Sequence, residues 1–115
     1  MKRQRKIPVK QDCSMEITIN LISGKWKPAI ITALLRGRQR PKDLQAQCPE
    51  ATKRVINQQL KELEEDGIVT KKIYDELPIR VEYYLTPLGK ELTPVVKALT
   101  GWGDAYKKKT LSKNI

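Results

Sequence analysis

The sequence predicts an α+β fold of about five helices and one two-stranded hairpin, in which a helix-turn-helix is followed by a β wing. Three observations carry this. Residues 41–66 divide at Pro49 into a short and a longer helical segment, and the longer one segregates its side chains: Ile56, Leu60 and Leu63 on one side, Lys53, Arg54, Asn57, Gln58 and Lys61 on the other. Residues 68–74 and 80–85 are β-branched and aromatic, and Asp75-Glu76-Leu77-Pro78-Ile79 between them supplies a turn. Leu88, Leu92, Val95, Leu99, Trp102 and Tyr106 then recur at the spacing of a helix.

Residues 1–12 hold Lys2, Arg3, Arg5, Lys6 and Lys10 against one acid, Asp12, and read as a basic flexible arm. The folded domain is expected over residues 13–109. Ser14 is read as the cap of a first helix, with Glu16 suiting the positive end of its dipole. Met15, Ile19 and Ile22 share one face of it and Ile17 and Leu21 another, so the helix should lie between two bodies. A second helix is expected from Lys25 to Arg36, with Pro28 in its first turn, Gly37 at its end and Trp26, Ile30, Ala33 and Leu34 as its buried stripe. Pro41 opens the third helix, which runs to about Gln47. Thr52 caps the fourth, which reaches Asp66 and stops at Gly67. Thr86 caps the last, and residues 110–115 read as a disordered tail.

Composition narrows the partners. Lys and Arg outnumber Asp and Glu by 23 to 13, a net charge of +10 that favours a polyanion. Nothing approaches the roughly 20 apolar residues of a membrane span, and the N-terminal stretch lacks the apolar segment of a signal peptide, so a cytoplasmic protein with no membrane partner is expected. Two cysteines, Cys13 and Cys48, and no histidine make a structural zinc site improbable; no metal, cofactor or catalytic residue is expected, and the reading is not of an enzyme.

The fourth helix speaks in terms of base edges: Arg pairs with guanine, Asn and Gln with adenine, and Lys with phosphates. Its charge order opposes the helix macrodipole, with Lys53 and Arg54 at the start and Glu62, Glu64, Glu65 and Asp66 near the end. A basic end pressed on DNA and an acidic end directed away would account for that. Between Glu16 and Asp43 stand Lys25, Lys27, Arg36, Arg38, Arg40 and Lys42 with no acid among them. The expected DNA contacts are Arg40, Lys42, Thr52, Lys53, Arg54, Asn57, Gln58 and Lys61, with Lys71, Lys72 and Arg80 of the wing. Dimerisation through the first and last helices would use Ile17, Leu21, Leu92, Val95, Leu99, Trp102 and Tyr106. Of Tyr83 and Tyr84, one should pack inward and one face solvent.

Ser23-Gly24-Lys25-Trp26, the run from Leu60 to Val69, and above all Tyr74-Asp75-Glu76-Leu77-Pro78-Ile79-Arg80-Val81-Glu82-Tyr83 followed by Leu85-Thr86-Pro87-Leu88-Gly89 resemble the HxlR-type winged helix-turn-helix regulators. The resemblance runs from about Cys13 to Trp102. It implies a homodimeric repressor or activator, related in architecture to MarR-type regulators, acting on a near-palindromic duplex operator. Ser23 stands where the family often has a second Gly, and Pro41 where it often has an aromatic residue; the inducer, a small molecule or an oxidant, is left open. Some members sense oxidants or electrophiles through a cysteine in the region of Cys13. That residue stands just before a helix start and beside the basic arm, where the reactive thiolate is favoured, and a bridge to Cys48 of a partner subunit would shift the recognition helices. Two other classes stay open: a small basic RNA-binding protein, although the exposed aromatics or glycine loops of such modules are missing, and a metabolite-binding protein.

Overall fold

The computed structural model describes residues 13–113. In chain order the elements are α1 (Ser14–Ile22), α2 (Lys27–Leu35), α3 (Pro41–Gln47), α4 (Lys53–Glu65), β1 (Val69–Tyr74), β2 (Arg80–Leu85), α5 (Pro87–Lys90) and α6 (Thr93–Lys113). The expected basic arm, residues 1–12, lies outside the described residues. Helices α2, α3 and α4 enclose the core, and the hairpin packs its inner face on them. Ile30, Ile31, Leu44, Ile56, Leu60, Leu63 and Val69 are almost wholly removed from solvent there, each worth about 1.5–3 kcal/mol of transfer free energy.

Local chemistry fixes the element ends. Thr52 Oγ1 accepts from the Val55 N–H at 3.1 Å and opens α4. At the other end Gly67 adopts φ +78°, its N–H donates to Glu64 O, and the Ile68 N–H donates to Leu63 O, both at 3.0 Å. This is the paired 5→2 and 6→1 closure that a left-handed glycine permits, sealed by Leu63 and Ile68, both buried. Asp43 Oδ2 accepts from the Arg40 N–H at 3.0 Å at the start of α3.

Several boundaries differ from expectation. The N-cap of α1 is Cys13, whose side chain makes no capping bond. Ser14 already lies in the first turn, and its carbonyl accepts from Thr18 Oγ1 at 3.0 Å. Helix α2 begins at Lys27 and not at Lys25; a start at Lys25 would put Pro28 where the first intrahelical N–H donor is needed. The expected last helix is divided into α5 and α6. Pro94 has no N–H for the Lys90 carbonyl and crowds it, so the turn closes instead with Thr93 Oγ1 donating to that carbonyl at 2.7 Å. Residues 110–113, read as tail, are the last turn of α6. The preceding Lys107, Lys108 and Lys109 are good helix formers and suit its negative end.

β1 and β2 pair antiparallel in the register Val69↔Leu85 to Tyr74↔Arg80. Tyr83 and Leu85 point into the core, while Tyr84 lies half-buried on the opposite face. Gln39 adds an edge to this sheet that the sequence did not announce: its N–H and carbonyl exchange bonds with Tyr83 at 3.0 and 2.8 Å. The segment between α2 and α3 is thus tied to the wing.

Candidate nucleic-acid interface

Helix α4 is amphipathic as expected. Ile56, Leu60 and Leu63 are buried, and Thr52, Lys53, Arg54, Asn57, Gln58 and Lys61 are exposed. Apart from the Thr52 cap, none of those exposed side chains has a hydrogen-bond or ion-pair partner among the described residues. Their donors and acceptors therefore stand together, unpaired, on one rigid face. The structure also gives the acidic end of α4 a reason of its own. Glu62 accepts from Lys27 Nζ at 2.6 Å, and Glu64 lies 3.7 Å from Lys71 Nζ.

Lys27 is the clearest departure within the acid-free basic run between Glu16 and Asp43. It is only 5% exposed, and its charge joins α2 to α4 beneath the surface. Lys25, Arg36, Arg38 and Lys42 remain exposed and Arg40 half-buried. Arg40 and Lys42, at the start of α3, face the wing tip across an open concavity of about 470 Å³ lined also by residues 76–81.

The wing cations behave differently from free phosphate contacts. Arg80 Nε lies 2.9 Å from Glu76 and its Nη1 3.6 Å from Glu82, with the guanidinium 3.9 Å over the Tyr74 ring. Arg38 donates to the Tyr74 hydroxyl at 3.1 Å, that hydroxyl donates to Glu82 at 3.1 Å, and the guanidinium covers Tyr84 at 4.5 Å. Lys72 Nζ sits 5.0 Å over Tyr74 and remains exposed. This network of Arg38, Tyr74, Arg80 and Glu82 escaped sequence reasoning, although the i,i+2 alternation of Arg80, Glu82 and Tyr84 placed all three on one strand face.

The residues read as dimer contacts fall into two groups. Ile17, Leu21, Leu92 and Val95 are half-buried; Leu21, Leu92 and Val95, with Val96, pack against the core. Leu99, Trp102 and Tyr106 project on the free part of α6, with Trp102 69% exposed and stacked on Tyr106 at 5.3 Å. Met15 and Ile19 of α1 are exposed as well. Cys13 is half-buried at the start of α1. Cys48 is buried at the end of α3, and burial pushes its thiol pKa up.

The profile of the HxlR-like helix-turn-helix family matches residues 21–111. The chain belongs to this family of transcriptional regulators. It is 39% identical over 98 residues to YybR, a helix-turn-helix-type transcriptional regulator of Bacillus subtilis strain 168, a match covering 85% of this chain and 78% of that one. Among solved structures, the redox regulator HypR in its reduced form superposes with a TM-score of 0.82 at 36% identity, covering 88% of this chain and 99% of that one. Diamide-treated YodB from B. subtilis superposes with a TM-score of 0.70 at 31% identity, covering 84% and 97%. The winged helix-turn-helix reading holds, and the HxlR-like chain is a regulator and not an enzyme. Among the described residues no helix is long and apolar enough to cross a membrane.

Proposed function

We propose that this HxlR-like protein regulates transcription as a homodimer that lays α4 of each subunit into the major groove of a near-palindromic duplex operator. The observation that carries the reading is the exposed face of α4, where Arg54, Asn57 and Gln58 present unpaired groups suited to base edges, flanked by Lys53 and Lys61 for phosphates. Arg40, Lys42 and Lys72 add backbone contacts, Lys71 and Arg80 chiefly hold the wing, and Thr52 sets the helix start. The half of α6 that leaves the domain, with Leu99, Trp102 and Tyr106, is covered by the other subunit together with α1. A binding titration on the DNA just upstream of its own gene, against a shuffled duplex, tests this; equal affinity for both would refute sequence-specific regulation.

The redox reading concerns Cys13 and Cys48, and the likeness to HypR and YodB supports it. An oxidant such as a peroxide removes two electrons from the Cys13 thiolate, leaving a sulfenic acid. The Cys48 thiol of the other subunit then gives up its proton as its sulfur attacks that sulfur, the proton and the sulfenic hydroxyl leave as water, and a disulfide bridges the dimer. Burial raises the Cys48 thiol pKa, which favours Cys13 as the thiol that meets the oxidant first. After diamide or peroxide treatment, non-reducing electrophoresis should show a covalent dimer that Cys13→Ser and Cys48→Ser each abolish. Unchanged operator affinity in the cross-linked protein would remove the switch.

A further inference from the structure

We propose that Lys27, although almost wholly buried, is a positioning residue for sequence readout: its bond to Glu62 sets the roll of α4 about its own axis. This rests on the reading of α4 as the major-groove element. Lys27 falls on the buried stripe of α2 at helical spacing from Ile30, Ile31 and Leu34, a place where a hydrocarbon side chain would serve the core as well. Instead its Nζ donates to Glu62 Oε1 at 2.6 Å, with side-chain exposures of 7% and 21%. A buried ion pair gives up hydration that its own attraction barely restores, so such pairs are poor stabilisers, and their best-attested use is to fix register.

The register at stake follows from spacing on α4. Arg54, Gln58 and Glu62 follow one another at four-residue intervals, so they form one row along the helix that drifts by about 40° per step. The first two are exposed, and the third is tied to α2. Ile56, Leu60 and Leu63 hold α4 against the core, but hydrophobic contact has no direction and tolerates a small roll. A charge-assisted hydrogen bond has one. The Glu64 contact with Lys71 is longer, at 3.7 Å, and more exposed, so it constrains the helix less. At the other end, Gln45 Nε2 donates to the Ala51 carbonyl at 2.7 Å and fixes where α4 begins. Side chains reach about 5–6 Å from a helix axis, so a roll of about 10° moves their tips by about 1 Å. A preorganised site tolerates about half of that. Flexible lysines on phosphates absorb such a shift, whereas paired bonds to a base edge do not.

Two variants separate positioning from folding. Glu62→Gln removes the carboxylate charge but leaves a carbonyl oxygen to accept from Lys27 Nζ. Lys27→Met with Glu62→Gln removes both charges and the bond. The single variant should be the less stable, because it strips the buried ammonium of its counter-charge, yet it should keep the wild-type preference for the DNA upstream of its gene over a shuffled duplex. The double variant should be the more stable, yet lose that preference about tenfold, the scale of one spoiled base contact. Stability and specificity thus move in opposite order, which a merely structural role would not produce. Titrations well below each Tm should also show unchanged affinity for the shuffled duplex and an unchanged salt slope, since neither residue meets a phosphate. The proposal is overturned if the double variant keeps the wild-type preference, or if Glu62→Gln loses as much of it as the double variant. A smaller salt slope would overturn it too, because Lys27 would then be a phosphate contact. Wild-type protein that fails to prefer the upstream DNA at all would refute the α4 reading and this one with it.

Discussion

Thr86 and Gly89 show what single positions do here. Thr86 Oγ1 donates to Gly67 O at 2.6 Å and accepts from the Gly89 N–H at 2.9 Å, so one hydroxyl closes α4 and opens α5. A Cβ on Gly89 would stand 2.1 Å from the Ile68 carbonyl, a backbone atom with no room to yield. Gly89→Ala should therefore cost about 1–3 kcal/mol, the usual range for overpacking, read as a lower midpoint in urea with an unchanged slope. On the DNA side, Arg54→Ala or Asn57→Ala should cost about 1–3 kcal/mol on the operator and little on random duplex, whereas Lys72→Ala should weaken both alike. Fluorescence titrations on the two duplexes distinguish these. Cys48 and Tyr83 both have raised pKa values, from burial first and, for Tyr83, from Glu64 second. The native state holds their protons longer than the unfolded chain does. Their contribution is thus fully present below the unfolded pKa of Cys, about 8.5, and is lost as pH rises past it. Cys48→Ala should remove the first part of that alkaline loss in a pH series of denaturant melts.

Among the elements, α4 was legible almost residue by residue, because a two-faced helix with a Thr cap and a terminal glycine states its limits locally. The hairpin was legible for the same reason, through its alternation and turn. Less legible were features set by tertiary neighbours. Lys27 reads as one more cation in a basic run, and only the packing of α2 on α4 reveals that Glu62 meets it. The Gln39 bridge to Tyr83 carries no local signal at all. The split between α5 and α6 was visible in Pro94, yet the apolar period running through it masked the break. Of the candidate site, the α4 face was readable from spacing alone. The fate of Lys71 and Arg80 was not, since their acidic partners sit on another helix and across the turn. The pair joining α2 and α4 yields a prediction at this scale. Lys27→Met removes the nearly buried ammonium from Glu62, and because that carboxylate keeps some solvent, the cost should stay below the about 3–5 kcal/mol of breaking a fully buried pair. Glu62→Gln with Lys27→Met should recover much of it in thermal melts.

At the scale of the whole molecule, α6 reaches out of a small domain and bares Leu99, Trp102 and Tyr106 to solvent, beside exposed Met15 and Ile19 on α1. An isolated domain gains nothing from such a surface, and in the proposed dimer a two-fold partner would cover it and set the spacing between recognition helices, about 34 Å for successive major grooves. Trp102→Ala with Leu99→Ala should move the sedimentation profile from dimer towards monomer and lower operator affinity together, since one α4 alone contacts half a site. The charge of the chain and the unpaired α4 face make the duplex the expected partner, and the most direct test is a footprint with quantitative titration on the DNA upstream of its gene, repeated across salt. Two protected half-sites about one helical turn apart are expected, with saturation at two subunits per duplex and an affinity falling steeply with salt, at a log–log slope of about −0.9 for each phosphate neutralised. A single protected patch bound by one subunit, or the same affinity for a shuffled duplex, would refute operator binding by a dimer.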